Sequence, residues 1–191
     1  SIVPMSDAPV RTRVRTDRGE LSFQDYFVRQ RCKPQARGFR FVGSRRARIP
    51  SALRQILRTD QVQAVVFCPS NPFVSIAPIL SVPEIRAWLR SRTFPVVGVS
   101  PIVGGAALKG PAAKMMRALG LEASVLGVVR HYGDRVDGWV IDSQDAGLAR
   151  AIEALGKRVT VTNTMMTGRA RSMRLAGRVI AFARQLAAER R

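Results

Sequence analysis

This sequence has little of what builds metal centres, disulfide frameworks or membrane spans. Its 191 residues include two cysteines and one histidine. Cys32 and Cys68 stand far apart, so neither a disulfide framework nor zinc-ligand spacing is implied. Cys68 closes the apolar run Ala64-Val65-Val66-Phe67 and is expected to be a buried thiol. No apolar run approaches the ~20 residues of a membrane-spanning helix, and no signal-peptide pattern opens the sequence. The expected compartment is the cytoplasm, with no membrane partner. Hydrophobic residues make up 46% of the chain, enough for a core in a domain of this length.

Acidic residues are also scarce: 13 Asp and Glu against 32 Lys and Arg, a net charge of +19. A chain this basic raises the question of nucleic acid. Arginine outnumbers lysine 28 to 4, a skew that GC-rich coding also produces. Residues 1–58 carry 14 of the basic residues, 59–125 carry 6 and 126–191 carry 12, so the charge avoids the glycine-rich middle. No helix-turn-helix, zinc-finger or aromatic-interleaved RNA-binding signature is present. Nucleic acid is therefore not the expected main partner.

The second half of the chain alternates short β-rich runs with amphipathic helices. Ala64 to Cys68, Pro95 to Val99, Trp139 to Ile141 and Val159 to Thr162 are apolar and β-branched, as buried strands are. Ser81 and Glu84 have capping-box spacing, followed by Ile85, Trp88 and Leu89 on one helical face. Gly110-Pro111 opens a helix carrying Met115, Met116 and Leu119, which Gly120 ends. Leu148, Ile152 and Leu155 repeat the pattern before Gly156, and Leu175, Val179, Phe182 and Leu186 stripe a last helix. Strict alternation predicts a parallel sheet with helices on both faces, with ligands bound at the carboxyl ends of its strands. Residues 1–60 are more irregular, with short strands expected near Ile2 to Met5 and Phe39 to Val42 and a helix around Phe23 to Arg29. No Gly/Ser linker sets them apart from the alternating core of 61–191, so residues 1–191 are expected to form a single α/β unit.

Two loops follow predicted strands. In Cys68-Pro69-Ser70-Asn71-Pro72-Phe73-Val74-Ser75 two prolines stiffen the path, and Ser70, Asn71 and Ser75 offer donors and acceptors. An Asx-type turn that only redirects the chain would use the same residues. In Ser100-Pro101-Ile102-Val103-Gly104-Gly105-Ala106-Ala107-Leu108-Lys109-Gly110-Pro111, paired glycines can turn backbone N–H groups toward an anion just before a helix. Lys109 and Lys114 add charge there. A tight turn with a solvated lysine would account for the same pattern.

The strings CPSNPFVSIAPIL, VVGVSPIVGGAALKGPAAKMM and RHYGDRVDGWVID, with PMSDAPVRTRVRT and FQDYFVRQRC before them, resemble the 2-phospholactate transferase family of deazaflavin coenzyme F(420) biosynthesis. The resemblance covers essentially the whole chain. It implies a Rossmann-like α/β fold and transfer of a phospholactyl or phosphoenolpyruvyl group from a guanylyl diphosphate donor to the ribityl hydroxyl of the deazaflavin precursor. GMP leaves and magnesium assists. Such chemistry runs on positioning and electrostatic stabilisation. By position in the resemblance, Ser70, Asn71, Ser75 and Ser100 line the donor-nucleotide or deazaflavin pocket, and Gly104, Gly105 and Lys109 face phosphate. Asp7, within the string SDAPVRT, is the candidate metal contact, with Arg11 and Thr12 beside it; a turn or cap aspartate is the alternative. His131 and Tyr132 belong to a family motif but have the character of packed core residues.

The sequence also departs from that family. Its Gly-rich phosphate loop and acidic metal contacts would precede Ser1, so the chain resembles the family's carboxy-terminal part, the main catalytic groups are expected outside it, and by itself it is expected not to turn over. Asn163 stands where the family usually has aspartate. The alternative is a non-catalytic nucleotide-sugar or phosphate-binding regulatory module, as in a related bacterial family of similar fold. A homo-oligomer remains open.

Overall fold

A computed structural model describes residues 2–59, 61–107 and 110–190. They group into two compact units. The first comprises residues 1–61, 71–91 and 110–121, and the second 62–70, 92–109 and 122–191. The chain passes between them several times, so no single linker-like boundary divides them.

The first unit carries a three-stranded antiparallel sheet of β1 (Arg11–Thr16), β2 (Gly19–Ser22) and β3 (Ala36–Val42), in the order β2-β1-β3. β1 reads RTRVRT, and its period-two pattern exposes Arg11, Arg13 and Arg15 while burying Val14 and Thr16. The strand expected near Ile2 to Met5 is absent: those residues form no ladder, and Ile2 is exposed. The expected helix near Phe23 is present and continues as a π-helical turn over Asp25–Arg29. Helices α1 (Ser51–Leu57), α2 (Ala77–Leu80), α3 (Pro83–Arg90) and α4 (Ala112–Ala118) complete the unit. Ala47, Ile49, Val82 and Ile85 form a core cluster with Leu53, Leu57 and Leu89 packed against it.

The expected capping box at Ser81 is not formed. The Ser81 hydroxyl donates to the Pro78 carbonyl (2.6 Å), closing α2, and α3 opens through Pro83 after an extended Val82. Glu84 instead accepts the Ile49 N–H (3.3 Å) and an Arg54 guanidinium hydrogen (3.4 Å).

The second unit holds a parallel sheet, the frame of the Rossmann-like α/β fold. Its strands β4 (Val65–Phe67), β5 (Val96–Val99), β8 (Gly138–Asp142) and β9 (Arg158–Thr162) lie in that order. A short hairpin, β6 (Ile102–Val103) with β7 (Ala106–Ala107), follows β5. Every residue of the central strands β5 and β8 is buried, as expected where both faces are covered. Successive side chains of β8 point to opposite faces. Val140 packs with Val97 and Val99 against Leu175, Val179, Phe182 and Leu186 of α7 (Arg169–Glu189). Trp139 points the other way, onto Tyr132 at the end of α5 (Val125–Tyr132).

Gly138 is required by this packing, because a Cβ there would lie 2.6 Å from Leu186 Cδ1 and 2.8 Å from the Phe182 ring. Each such buried apolar side chain contributes about 1.5–3 kcal/mol. The outer strands are less covered: Val66 is 38% and Val161 40% exposed. Cys68 is likewise exposed rather than buried, since β4 is an edge strand and the chain leaves the sheet after Phe67. α6 (Ala149–Glu153) buries Ile152 but ends before Leu155, which is exposed.

Candidate ligand site at the strand ends

The parallel strands of the second unit all end on one side. Register pairs Phe67 with Gly98, Val99 with Val140, and Asp142 with Thr162. The segments that leave this end are therefore 68–70, 100–105, 143–145 and 163–164, the position where such sheets bind ligands.

Most polar groups of these segments are engaged with one another. Ser100 is buried; its hydroxyl donates to the Ile102 carbonyl (2.8 Å) and accepts the Ile102 N–H (3.1 Å), a local turn that launches β6. Gly104 and Gly105 have φ of 57° and 73° and form the two-residue turn between β6 and β7, a conformation that favours glycine at both positions. The Gly104 N–H does not stand open for an outside anion: it donates to both oxygens of Asp145, at 3.1 and 3.0 Å. Beyond Gly105 there is open space. Ser70 is half-buried and its N–H donates to the Cys68 carbonyl (2.7 Å). Lys109 lies outside the described residues.

Two carboxylates absent from the expected set organise this end. Asp142, buried at the tip of β8, accepts the Thr164 N–H (2.7 Å), the Thr164 hydroxyl (3.0 Å) and the Gln144 N–H (3.0 Å). Burial pushes its carboxyl up, but the hydrogen bonds from Gln144 and Thr164 outweigh this and hold it below the usual carboxylate range. Asp145, also buried, ties the next segment to the Gly104 turn. The signal was the aspartate closing the apolar run Trp139-Val140-Ile141, which periodicity alone does not distinguish from a turn residue.

The remaining expected site residues belong to the first unit. Asn71 caps the π-helical turn Pro72–Ile76: its side-chain oxygen accepts the N–H groups of Phe73 (2.9 Å) and Val74 (3.3 Å), and its amide donates to Met115 Sδ (3.4 Å). The Asx-type reading of Asn71 thus describes what its side chain does. Ser75 is exposed, and its N–H donates to the Asn71 carbonyl (3.1 Å). Arg11 and Thr12 begin β1 opposite Val42 and Phe41. Asp7 is exposed, with its N–H donated to the Arg48 carbonyl (3.2 Å). Among the described residues no group of three or more His, Cys, Asp or Glu stands together as a metal cage. Asp7, the expected metal contact, is thus not part of any such group.

Tyr132 has the core character its sequence context suggested, whereas His131 is half-buried. Tyr132 is buried between Phe67 and Trp139, with ring centroids 5.6 Å away on each side, and burial drives its hydroxyl pKa well above the usual value. His131 meets the Tyr132 ring edge-on, and burial followed by the Arg135 charge lowers its pKa below 6.5. Among the described residues no helix is long and apolar enough to cross a membrane.

The chain is 38% identical to the 2-phospho-L-lactate transferase of Methanosarcina mazei, over 94% of this chain and 58% of that protein. It is 42% identical to the phosphoenolpyruvate transferase of Streptomyces griseus, over 87% of this chain and 53% of that protein. It thus spans somewhat over half the length of these relatives. A crystal structure of a member of the UPF0052 family from Bacillus halodurans superposes with a TM-score of 0.58 at 14% identity, covering 91% of this chain and 59% of that one. At that identity the likeness shows the fold alone. The family model for 2-phospho-L-lactate transferase CofD matches residues 1–174, and the chain belongs to that family of transferases.

Proposed function

We propose that this chain takes part in transferring a phospholactyl or phosphoenolpyruvyl group from a guanylyl diphosphate donor to the deazaflavin precursor of coenzyme F(420). The observation that carries the reading is the family match over residues 1–174, with relatives bearing both transferase names. The new bond joins the ribityl oxygen to the phosphorus of the three-carbon phosphoryl group. The bond that breaks is the phosphoanhydride to GMP, which leaves with the negative charge, while the proton of the attacking hydroxyl is released to solvent. Chemistry of this kind asks the protein to hold the diphosphate and the acceptor hydroxyl in line rather than to supply a nucleophile. The strand-end segments around Ser70 and Gly105 are the surface this chain would offer to a phosphate-bearing ligand. Magnesium would enter with the donor diphosphate and neutralise its charge.

The test is a turnover assay with donor, deazaflavin precursor and magnesium, reading GMP release and product mass. The 191-residue chain is run beside a version joined to a relative's amino-terminal portion. Turnover in the joined protein alone supports the proposal. Comparable turnover by the chain alone would place the catalytic groups within it. Ligand binding without turnover in both would favour a non-catalytic binding module.

A further inference from the structure

Between the end of β9 and the first turns of α7 lies a groove of about 360 Å³ lined by Thr162, Asn163, Arg171, Arg174, Leu175 and Arg178. Leu175 is buried in the core and fixes the helix against the sheet. The three arginines follow at spacings that place them on one helical face. No carboxylate lines the groove. Elsewhere in the same unit four arginines find acidic partners: Arg92 and Arg190 meet Asp137, Arg130 meets Glu122, and Arg158 meets Glu189. Arg171 donates only to the Thr167 hydroxyl (2.7 Å). Among the described residues Arg174 and Arg178 have no hydrogen-bond or ion-pair partner. The Asn163 side-chain oxygen is taken by the Met165 N–H (3.0 Å), which leaves its NH2 group as a donor. The groove is therefore rich in donors and carries unbalanced positive charge. It opens at the carboxyl end of a parallel sheet, where ligands of such folds sit.

We propose that this groove is a phosphoryl-anion site, in which Arg174 and Arg178 grip the oxygens of a phosphate or diphosphate with Arg171 and Asn163 completing the shell. Planar guanidinium groups match phosphate oxygens in pairs, which a lone ammonium cannot do. The site rests on the groove itself and stands or falls independently of the transfer reaction.

The experiment is calorimetric titration of the full chain with inorganic pyrophosphate, with GMP, and with guanosine as the arm lacking phosphate. Pyrophosphate and GMP are expected to bind and guanosine not to. Pyrophosphate binding without GMP binding identifies a site for the free anion, and tighter GMP binding one for a nucleotide phosphate. Arg174→Gln and Arg178→Gln are each expected to weaken pyrophosphate roughly tenfold or more, as loss of a charge-assisted contact does. Arg184→Gln, exposed on the same helix but outside the groove, should leave binding unchanged. Glutamine keeps helix propensity, so unchanged circular dichroism separates lost binding from lost folding. Absence of pyrophosphate binding at millimolar concentration, or full binding by the Arg174→Gln/Arg178→Gln double variant, overturns the proposal. Equal weakening by Arg184→Gln overturns it too, since that is the response of diffuse surface charge.

Discussion

The carboxylate of Asp145 accepts the backbone N–H of Gly104 through both oxygens, at 3.1 and 3.0 Å. The anion at the Gly104-Gly105 turn is thus the protein's own, and it ties the segment after β8 to the hairpin after β5. Asp145→Ala should destabilise the chain by about 1–3 kcal/mol, the cost of leaving a hydrogen bond to a charged group unmade. Asp145→Asn keeps an acceptor and should lose less than half as much. Urea unfolding midpoints measure both, and equal losses would show that charge rather than the hydrogen bond fixes the turn.

Gly138 lies against Leu186 and Phe182 with no room for a methyl group. Gly138→Ala should cost about 1–3 kcal/mol through overpacking. The cost should shrink in a Leu186→Ala background, where the space is already open, because residues in contact do not add independently. Gly147→Ala, with nothing within 4 Å of its Cβ position, is the neutral control. Additive losses in the double variant would place the strain elsewhere.

Asn71 caps the turn at Pro72 through its side-chain oxygen. Asn71→Ala should cost about 1 kcal/mol, and Asn71→Asp, which keeps the acceptor, much less. If Asn71 instead serves a ligand, both variants would fold as stably as the parent and differ only in binding.

The second unit was legible because its signals are local and apolar. All four parallel strands and the Leu175, Val179, Phe182, Leu186 stripe of α7 are where periodicity puts them. The sheet of the first unit was less so. RTRVRT alternates perfectly, but its buried face is only valine and threonine, so an apolar run at Ile2 to Met5 looked more strand-like. Cys68 showed the opposite failure, an apolar run continuing past the point where the strand leaves the sheet. At the candidate site, Ser100, Gly104 and Gly105 do sit at the strand ends. What could not be read was that Asp142 and Asp145 take up the neighbouring N–H groups. That depends on which loops become neighbours across the sheet, and only the strand order decides it.

The basic surplus should not make this chain a nucleic-acid binder. Its arginines are spread over both units and several are neutralised by carboxylates, as Arg40 is by Glu20 at 2.7 Å. Binding to random duplex should be weak and gone by about 200 mM salt, as expected when contacts are to phosphates alone. Fluorescence anisotropy against salt measures it, and nanomolar binding that persists at that salt would reverse the ranking of partners.

Acid should destabilise the fold in two separable steps. His131 has a folded-state pKa below its ordinary 6.5, because burial and then the Arg135 charge disfavour the imidazolium. As pH falls through about 6.5 the unfolded chain takes up this proton first, so stability drops until the folded pKa is reached. Asp142 gives the second step. Its folded pKa lies below the ordinary 3.8 despite burial, through the hydrogen bonds from Gln144 and Thr164. Its contribution is complete above the unfolded value and is lost as pH falls through the folded one. Urea midpoints measured from about pH 8 down to 3 should therefore slope first near pH 6 and again below about pH 4. His131→Gln should flatten the first slope and leave the second. Asp142→Asn should lower stability at neutral pH, since an amide cannot accept all three hydrogen bonds with the same strength, and should flatten the second slope alone. A first slope unchanged in His131→Gln would assign that step to another group.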